Sequence, residues 1–448
     1  MRFPIPHRRM PRSDGGASHT PTLCEAYLSG LERFGMRPGL ERIVALLERC
    51  GNPHQSLACI HVAGTNGKGS VCAMVEAVLR AAGYRTGLYT SPHLVSYRER
   101  IRLCGREISE AQLGRIAAEI IPLAEDLAAS AVGSPTYFEF MTALAFCAFA
   151  REGVDYAVLE TGLGGRLDAT NVASAPIVAI TSIGLEHQAQ LGRTLQAIAD
   201  EKAAMIRRGS FVVCGEMPDS ARAAVVERCR AKGATLVKIG DDILYSSIRR
   251  SPEGSLLGAS GVCGRYDDLF LPLLGRCQLS NCAVALGVIE GLKRLGAVLP
   301  ERAVREGIAA TRWPGRLEIL SREPLLVVDG AHNPAAARAL SASVREIFPG
   351  RRWCLVLGIL RDKDIVKICL ALMPLAAAAI TTTVPSDRSA GAAEIALTCR
   401  GRSRSVVRET KNLRGALSLA RKMVAEDMVD GILITGSTYL VGEAMQIA

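Results

Sequence analysis

The sequence predicts an α/β protein with two parallel sheets in series, and three observations carry that expectation. Short apolar runs alternate with helix-spaced stretches along most of the chain, the pattern of successive βαβ units. Apolar Leu57–Val62 passes through a glycine-rich turn into Val71–Ala82, which has helical spacing. The rhythm stops at Trp313-Pro314-Gly315-Arg316 and restarts at apolar Leu325–Val328. With 448 residues the chain is too long for one core. The expected organisation is a disordered tail at 1–22, a first α/β domain at 23–312, a linker at 313–316 and a smaller Rossmann-like α/β domain at 317–448.

The turn Gly64-Thr65-Asn66-Gly67-Lys68-Gly69-Ser70 makes the first sheet resemble that of P-loop NTPases. Its glycines let backbone N–H groups turn inward without Cβ clashes. Those groups and the following helix N-terminus attract anionic oxygens. Lys68 would reach the β- and γ-phosphates of a nucleotide, and the Ser70 hydroxyl could bind Mg²⁺. The strict pattern GxxxxGK[ST] is not met, because Gly69 stands where the hydroxyl belongs. The plain alternative is a glycine-rich turn with a solvated lysine; the strand before it and the helix after it favour phosphate.

Bulk properties exclude several classes. Hydrophobic residues make up 49% and charged ones 22%, as in globular proteins. No apolar run reaches the roughly 18–20 residues that span a bilayer; the nearest, Ile368–Ile380, is interrupted by Pro374. The net charge of +10 suits nucleic acid or a polyanionic small molecule. Aromatics are only 4%, and no arginine-rich block interleaves with them, which favours the small molecule over nucleic acid. The 14 cysteines form no CxxC pair and read as reduced residues of a cytoplasmic protein. Met1–Thr20 holds four arginines and three prolines without the apolar stretch of a signal peptide.

In chain order, Leu23–Leu31 and Leu40–Arg49 read as helices, and Arg85–Thr90 as the strand after the phosphate loop. Ser91-Pro92-His93 follows that strand, at the sheet edge where open α/β sheets bind ligands. Arg98–Ile108 alternates like a basic hairpin, and Ser109 with Gln112 forms a capping box for a helix to about Ala129. Thr136–Ala150 reads as a largely buried helix with Glu139 inside it, either partner to a cation or a carboxylate at a domain surface. Strands Val154–Leu159 and Ile177–Thr181 end on Glu160 and lead to Glu186-His187. Thr194–Arg207 is helical, and 241–271 reads as a small antiparallel excursion before the helices Cys277–Leu295 and Glu301–Ala310. Beyond the linker, Trp353–Leu357, Ala378–Thr383 and Gly431–Thr435 are further strands.

Ser70, Ser91, Glu160 and His187 therefore fall at strand ends of one parallel sheet. Hydroxyl, carboxylate and an occasional imidazole, with phosphate and water, are what Mg²⁺ on a nucleotide needs. Position alone leaves simpler readings open: Glu160 as a turn-capping carboxylate, His187 as a hydrogen-bonded structural histidine. His93 and Glu186 read as structural or surface groups, and Lys202 by itself as a solvated helix lysine.

Longer stretches narrow the choice. HVAGTNGKGSV, SPHLVSYRERI, FEFMTALAF, VLETGLGGRLDATN, ITSIGLEHQAQLG, EKAAMI, WPGR and DGAHNP resemble the folylpolyglutamate synthase/dihydrofolate synthase family of the Mur ligase superfamily, from about Leu23 to the C-terminus. Its loop variant also carries GKGS. The resemblance implies an ATP-dependent acid–amino-acid ligase. A substrate carboxylate attacks the γ-phosphate of ATP, and L-glutamate displaces phosphate from the acyl phosphate. Dihydropteroate and reduced folates are the implied acceptors, Mg²⁺ the implied metal in one or two ions, and a monomer the implied state.

By motif, the resemblance puts the ATP phosphates on the loop Gly64–Ser70, with Asn66–Gly69 against them. Ser70 or Ser91, with Glu160 and His187, would hold Mg²⁺. Lys202 matches a lysine that is carbamylated in many relatives. Asn281, Arg316, Asp329 and His332 match nucleotide contacts. The pterin-bearing substrate would lie against Pro38, Gly39, Leu40 and Glu41, Thr136, Tyr137, Phe138 and Glu139, and Leu167, Asp168 and Ala169, with Phe138 suited to stacking on a planar ring. The chain has Cys277-Gln278 where the family often has His-Gln, and Glu186-His187 where Asp-His is usual. A Mur-type ligase of a cell-wall precursor, and a nucleic-acid-dependent ATPase, are the competing readings.

Overall fold

The computed structural model describes residues 22–32, 35, 37–261, 264–401 and 405–447. Nearly all of the N-terminal stretch expected to be a tail lies outside them. The first sheet has eight strands: β1 (Cys59–Ala63), β2 (Thr86–Tyr89), β3 (Ile101–Leu103), β4 (Arg106–Glu107), β5 (Tyr156–Glu160), β6 (Ile177–Ile180), β7 (Phe211–Cys214) and β8 (Thr235–Lys238). Their order is β4-β3-β2-β5-β1-β6-β7-β8. From β2 to β8 every pairing is parallel, while β3 and β4 add antiparallel at one edge.

Parallel strands covered on both faces read as continuous apolar runs rather than alternating ones. Cys59–Ala63 is buried at every position. In β5, Val158 joins the core beneath the helices Lys68–Ala81 and Arg276–Arg294, while Ala157 and Leu159 join the core beneath Tyr137–Arg151. Chain order reverses around β1, since β2 lies to one side beyond β5 and β6 lies on the other. Such a switch point opens a crevice at the carboxyl ends of the strands. The phosphate loop, Glu160 and the segment to His187 all leave the sheet there.

A three-stranded antiparallel sheet, β9 (Leu244–Ser251), β10 (Gly254–Gly261) and β11 (Gly264–Leu271), forms the expected excursion. The second large sheet comprises β12 (Glu318–Arg322), β13 (Leu325–Asp329), β14 (Trp353–Leu357), β15 (Ala376–Thr381), β16 (Val406–Glu409) and β17 (Gly431–Thr435). Its order is β12-β13-β17-β14-β15-β16, parallel except for β12. Alternate residues of β14 again serve two cores: Leu355 and Leu357 one, Cys354 and Val356 the other.

Three local expectations are corrected. The helix after the phosphate loop begins at Lys68 rather than Val71, with Gly67 as its N-cap at φ 88°, so Gly69 and Ser70 lie in its first turn. Arg98–Ile108 is not one long hairpin. A 3₁₀ turn, Tyr97–Arg100, precedes the short β3–β4 pair, because Ser96 and Glu99 close a capping box. Edge strands β12 and β16 are additional; β16 is largely solvent-facing, β12 is mostly half-buried, and neither carries a fully buried apolar run. No helix among the described residues is long and apolar enough to cross a membrane.

Candidate active site

The phosphate loop is pinned at several points to the segment after β6. Thr65 donates its N–H to the Ser182 carbonyl at 2.7 Å. The Thr65 hydroxyl exchanges bonds with Gly184, and the Asn66 carbonyl accepts from the Thr181 hydroxyl at 2.6 Å. Gly64 (φ 148°) and Gly67 (φ 88°) sit in backbone that disfavours side chains. A Cβ on Gly67 would also collide with the Asn281 amide, which is buried beside the loop and held by Gln278. The Lys68 ammonium bonds the Thr65 carbonyl at 3.3 Å. Ser70 is buried, 2% exposed.

Gly69 has a steric reason to be glycine. A Cβ there would run into the indole of Trp313, the first residue of the Trp-Pro-Gly-Arg stretch between the two large sheets. The departure from the strict phosphate-loop pattern thus belongs to the packing of that connection against the loop. Gly69→Ala is expected to cost about 1–3 kcal/mol by overpacking. Adding Trp313→Leu should recover most of it, which denaturant unfolding of the single and double variants checks; additive losses would deny the contact.

Glu160, at the end of β5, is 5% exposed. One carboxylate oxygen accepts the Ser91 N–H at 3.0 Å; the other makes no hydrogen bond among the described residues. Burial pushes its pKa up, opposed by Lys68, the Ser91 N–H, Arg316 and Arg100. Ser91, Glu160, Trp313, Arg316 and Thr438 line one cavity spanning both large sheets. Arg316 forms no ion pair among the described residues, so a cation from the connection faces this carboxylate. No three His, Cys, Asp or Glu side chains converge as a metal cage among the described residues. A buried carboxylate with one free oxygen and nearby hydroxyls still fits Mg²⁺, whose remaining ligands are commonly phosphate and water.

Lys202 is not the solvated lysine its local sequence suggests. It is 5% exposed, and its ammonium donates to the Gly64 carbonyl at 2.8 Å. Burial first, then the charge of Lys68, lowers its pKa from 10.5 to about 7. His187 takes a left-handed conformation (φ 52°) and keeps a partly exposed imidazole 3.9 Å from Glu186. Burial lowers its pKa, and its charged neighbours include Lys68 and Lys202. Glu160 and His187 therefore both feel Lys68, but no direct contact joins them among the described residues.

Glu186 corrects the expectation of a structural or surface group. Its side chain is 12% exposed and joins the two sheets: His332 Nε2 lies at 3.3 Å, Lys363 Nζ at 3.4 Å and Asn333 Nδ2 at 3.3 Å. Burial alone would raise its pKa, but His332, Lys363 and His187 together hold it well below the carboxylate range. Asn333 also donates to Asn66 of the phosphate loop at 3.0 Å. His332 and Asn333 follow β13, and Lys363 follows β14, so the carboxyl edges of both large sheets meet here. Asp329 is half-buried, with both carboxylate oxygens already accepting backbone N–H groups of Leu317 and Ala331 at 2.8 Å. Its evident local work is to shape the turn that carries Arg316 and His332.

The three stretches expected to hold the larger substrate do converge. Glu139 is buried, with Arg42 as its cation: a bidentate pair at 2.9 and 3.1 Å joins Pro38–Glu41 to the start of Tyr137–Arg151. Glu139 also accepts the Thr136 N–H at 2.7 Å, completing a capping box. Phe138 packs where a Cβ on Gly162 would sit. The 3₁₀ turn Ala169–Val172 is capped by Asp168, whose oxygens are spent on Leu163 and Thr170. Leu167 is exposed. Sequence reasoning named His332 but missed Lys363, Asn333 and the role of Glu186 in joining them. The rule that ligands gather at carboxyl ends of strands, applied to β14, would have flagged Lys363.

Comparison with known proteins agrees with this architecture. Residues 62–289 match the Mur ligase middle domain, and 315–438 the Mur ligase glutamate ligase domain. A dihydrofolate synthase/folylpolyglutamate synthase of Mycobacterium tuberculosis is 39% identical over 437 residues, covering 91% of this chain and 89% of that protein. One from Escherichia coli is 34% identical and covers 94% of each. Crystal structures of Mycobacterium tuberculosis folylpolyglutamate synthase complexed with ADP and AMPPCP superpose with a TM-score of 0.87 at 38% identity, covering 94% of this chain and 97% of that one. An E. coli relative in complex with DHPP and ADP gives 0.82 at 32%, covering 96% and 99%. The chain belongs to the dihydrofolate synthase/folylpolyglutamate synthase family of Mur ligases.

Proposed function

We propose that the crevice between the carboxyl edges of the two large sheets is where this ligase joins L-glutamate to a pterin-bearing carboxylate. The chain is an ATP-dependent acid–amino-acid ligase of folate metabolism, as its relatives are. The observation that carries the site is the contact of Asn333, which follows β13 of the second sheet, with Asn66 of the phosphate loop, together with a cavity that Glu160 shares with Arg316. This supports two domains, 23–312 and 317–448, hinged at 313–316. A single chain supplies both walls, which supports a monomer, and thirteen described free cysteines suit a reducing cytoplasm.

In this reading the acceptor carboxylate attacks the γ-phosphorus of ATP. The P–O bond to ADP breaks, and an acyl phosphate forms. The neutral amine of L-glutamate then attacks the acyl carbon, phosphate leaves, and an amide or γ-glutamyl bond remains. Lys68, the helix-start N–H groups of Gly67–Gly69 and Arg316 would offset charge on the phosphates. Asn281 and Gly67 shape the loop, and Asp329 and His332 lie toward the nucleoside. Ser70, Ser91, Glu160 and His187 would hold Mg²⁺, which when bound spreads the negative charge of the transferring phosphoryl group. Pro38–Glu41, Thr136–Glu139 and Leu167–Ala169 would cradle the pterin end. Closing the crevice keeps water from the acyl phosphate.

ADP release measured with dihydropteroate and with tetrahydrofolate, each with and without L-glutamate, tests the reading. Turnover is expected only with an acceptor and glutamate together, and the better acceptor tells whether first addition, chain extension or both occur. Turnover that ignores both pterins, or that needs nucleic acid, would overturn it. The cell-wall alternative is not favoured, since the relatives share nearly the full length with folate ligases.

A further inference from the structure

We propose that Arg100 is the residue that receives the acceptor's carboxylate, the group to be phosphorylated, and so selects acidic acceptors. This deepens the ligase reading above and rests on it. The Arg98-Glu99-Arg100 stretch spends its first two side chains on local structure. Arg98 Nε donates to the Ile108 carbonyl at 2.9 Å. Glu99 accepts the N–H groups of Leu94, Val95 and Ser96 at 2.7–2.8 Å, folding the turn before it. Arg100 is different. Its Nε donates to His93 Nδ1 at 2.9 Å, and its guanidinium carbon lies 5.0 Å from the centre of the Tyr137 ring. It makes no ion pair among the described residues, although it is half-buried.

That arrangement fixes the plane of the guanidinium and leaves its terminal nitrogens without acceptors among the described residues. A fixed, unneutralised cation in a partly desolvated crevice costs stability unless an anion joins it. The planar fork matches a carboxylate in two parallel hydrogen bonds. Its position names the anion. On one side stands the aromatic wall, Tyr137 followed by Phe138, with Phe138 5.9 Å from Tyr89 between ring centres. On the other stands Glu160: Thr90 donates its N–H to the Arg100 carbonyl and the next residue, Ser91, donates its N–H to Glu160, each at 3.0 Å. A molecule whose carboxylate is carried on an aromatic ring, as in dihydropteroate, would set that ring beside Tyr137 and bring its carboxylate to Arg100. L-Glutamate and ATP lack that pairing of features on this side of the crevice.

The test compares binding of dihydropteroate with that of its carboxamide, both in the presence of a non-hydrolysable ATP analogue, in wild type, Arg100→Gln and Arg100→Lys. The wild type should prefer the carboxylate. Arg100→Gln should lose about tenfold or more on dihydropteroate and less than about twofold on the carboxamide. Arg100→Lys keeps the charge without the fork and should fall between. Apparent affinities for ATP and L-glutamate should stay within about twofold. Equal losses on both pterins would show a merely structural arginine, and a loss confined to ATP would assign Arg100 to phosphate; either overturns the proposal. Arg100→Lys answers if Arg100→Gln does not fold. If the wild type binds neither pterin, the ligase reading itself falls, independently of the variants.

Discussion

A Glu160→Ala enzyme is expected to lose about three orders of magnitude or more in ligation while remaining at least as stable as the parent. The two halves of that expectation come from one fact. Glu160 is buried, and burial outweighs Lys68, Arg316 and Arg100 in setting its pKa, which is raised. An ionised carboxylate in that place is unfavourable for the empty fold, and removing it sacrifices one acceptor, for the Ser91 N–H. The same carboxylate has an oxygen left over to face a cation on the phosphates. Losing a group that organises charge around a transferring phosphoryl is worth several kcal/mol, and about 4 kcal/mol is a factor of a thousand. Glu160→Gln, which keeps the acceptor and removes the charge, should share the loss of activity. Initial rates over a magnesium titration and a thermal melt of both variants check this. Near-normal rates at ordinary magnesium, or collapse of the melt, would remove Glu160 from its assigned role.

The signals that made this site legible were local ones. Parallel strands buried on both faces announce themselves as apolar runs, and what lies directly after them falls on the ligand edge; that is how Glu160 is readable, whereas Asp329 and His332 enter through the resemblance carried by DGAHNP. Gly64, Gly67 and Lys68 were readable because loop chemistry is written in consecutive residues. The rest of the site is tertiary. Glu186 looks ordinary in Ile183–His187, and its partners Asn333 and Lys363 lie 147 and 177 residues away. Arg42 and Glu139 are 97 residues apart. Gly69 looked like a departure from a motif until the Trp313 indole was found against it. Edge strands β12 and β16 were unreadable for the converse reason: β16 largely faces water, and β12 contributes only half-buried Ile319 and Leu320, so no apolar run marks either.

Lys202 shows how far burial changes a residue's chemistry, and it carries the second large effect. Its local sequence is that of a surface lysine, yet it is enclosed and bonded to the Gly64 carbonyl at the head of the phosphate loop. With its pKa lowered from 10.5 to about 7, about half of the side chain is a neutral amine near pH 7, and only about a tenth near pH 6. Between those two pKa values the folded chain binds fewer protons than the unfolded one. Stability from this group therefore rises with pH across the window, and the full cost of the buried ammonium is felt below about pH 7. A neutral lysine amine can add carbon dioxide: the new N–C bond forms, a proton leaves, and a cation becomes an anion. Beside Lys68, whose charge disfavours the ammonium, that exchange turns repulsion into attraction. We propose that Lys202 works as this carbamate. Lys202→Ala should lower ligation about 100-fold or more with ATP affinity changed far less, and a short carboxylic acid such as propionate should restore part of the rate. Wild-type activity in buffer stripped of carbon dioxide should fall, recover with bicarbonate, and recover better as pH rises through 7. An enzyme indifferent to bicarbonate, whose alanine variant ignores propionate, would leave Lys202 as a simple ammonium tie on the loop.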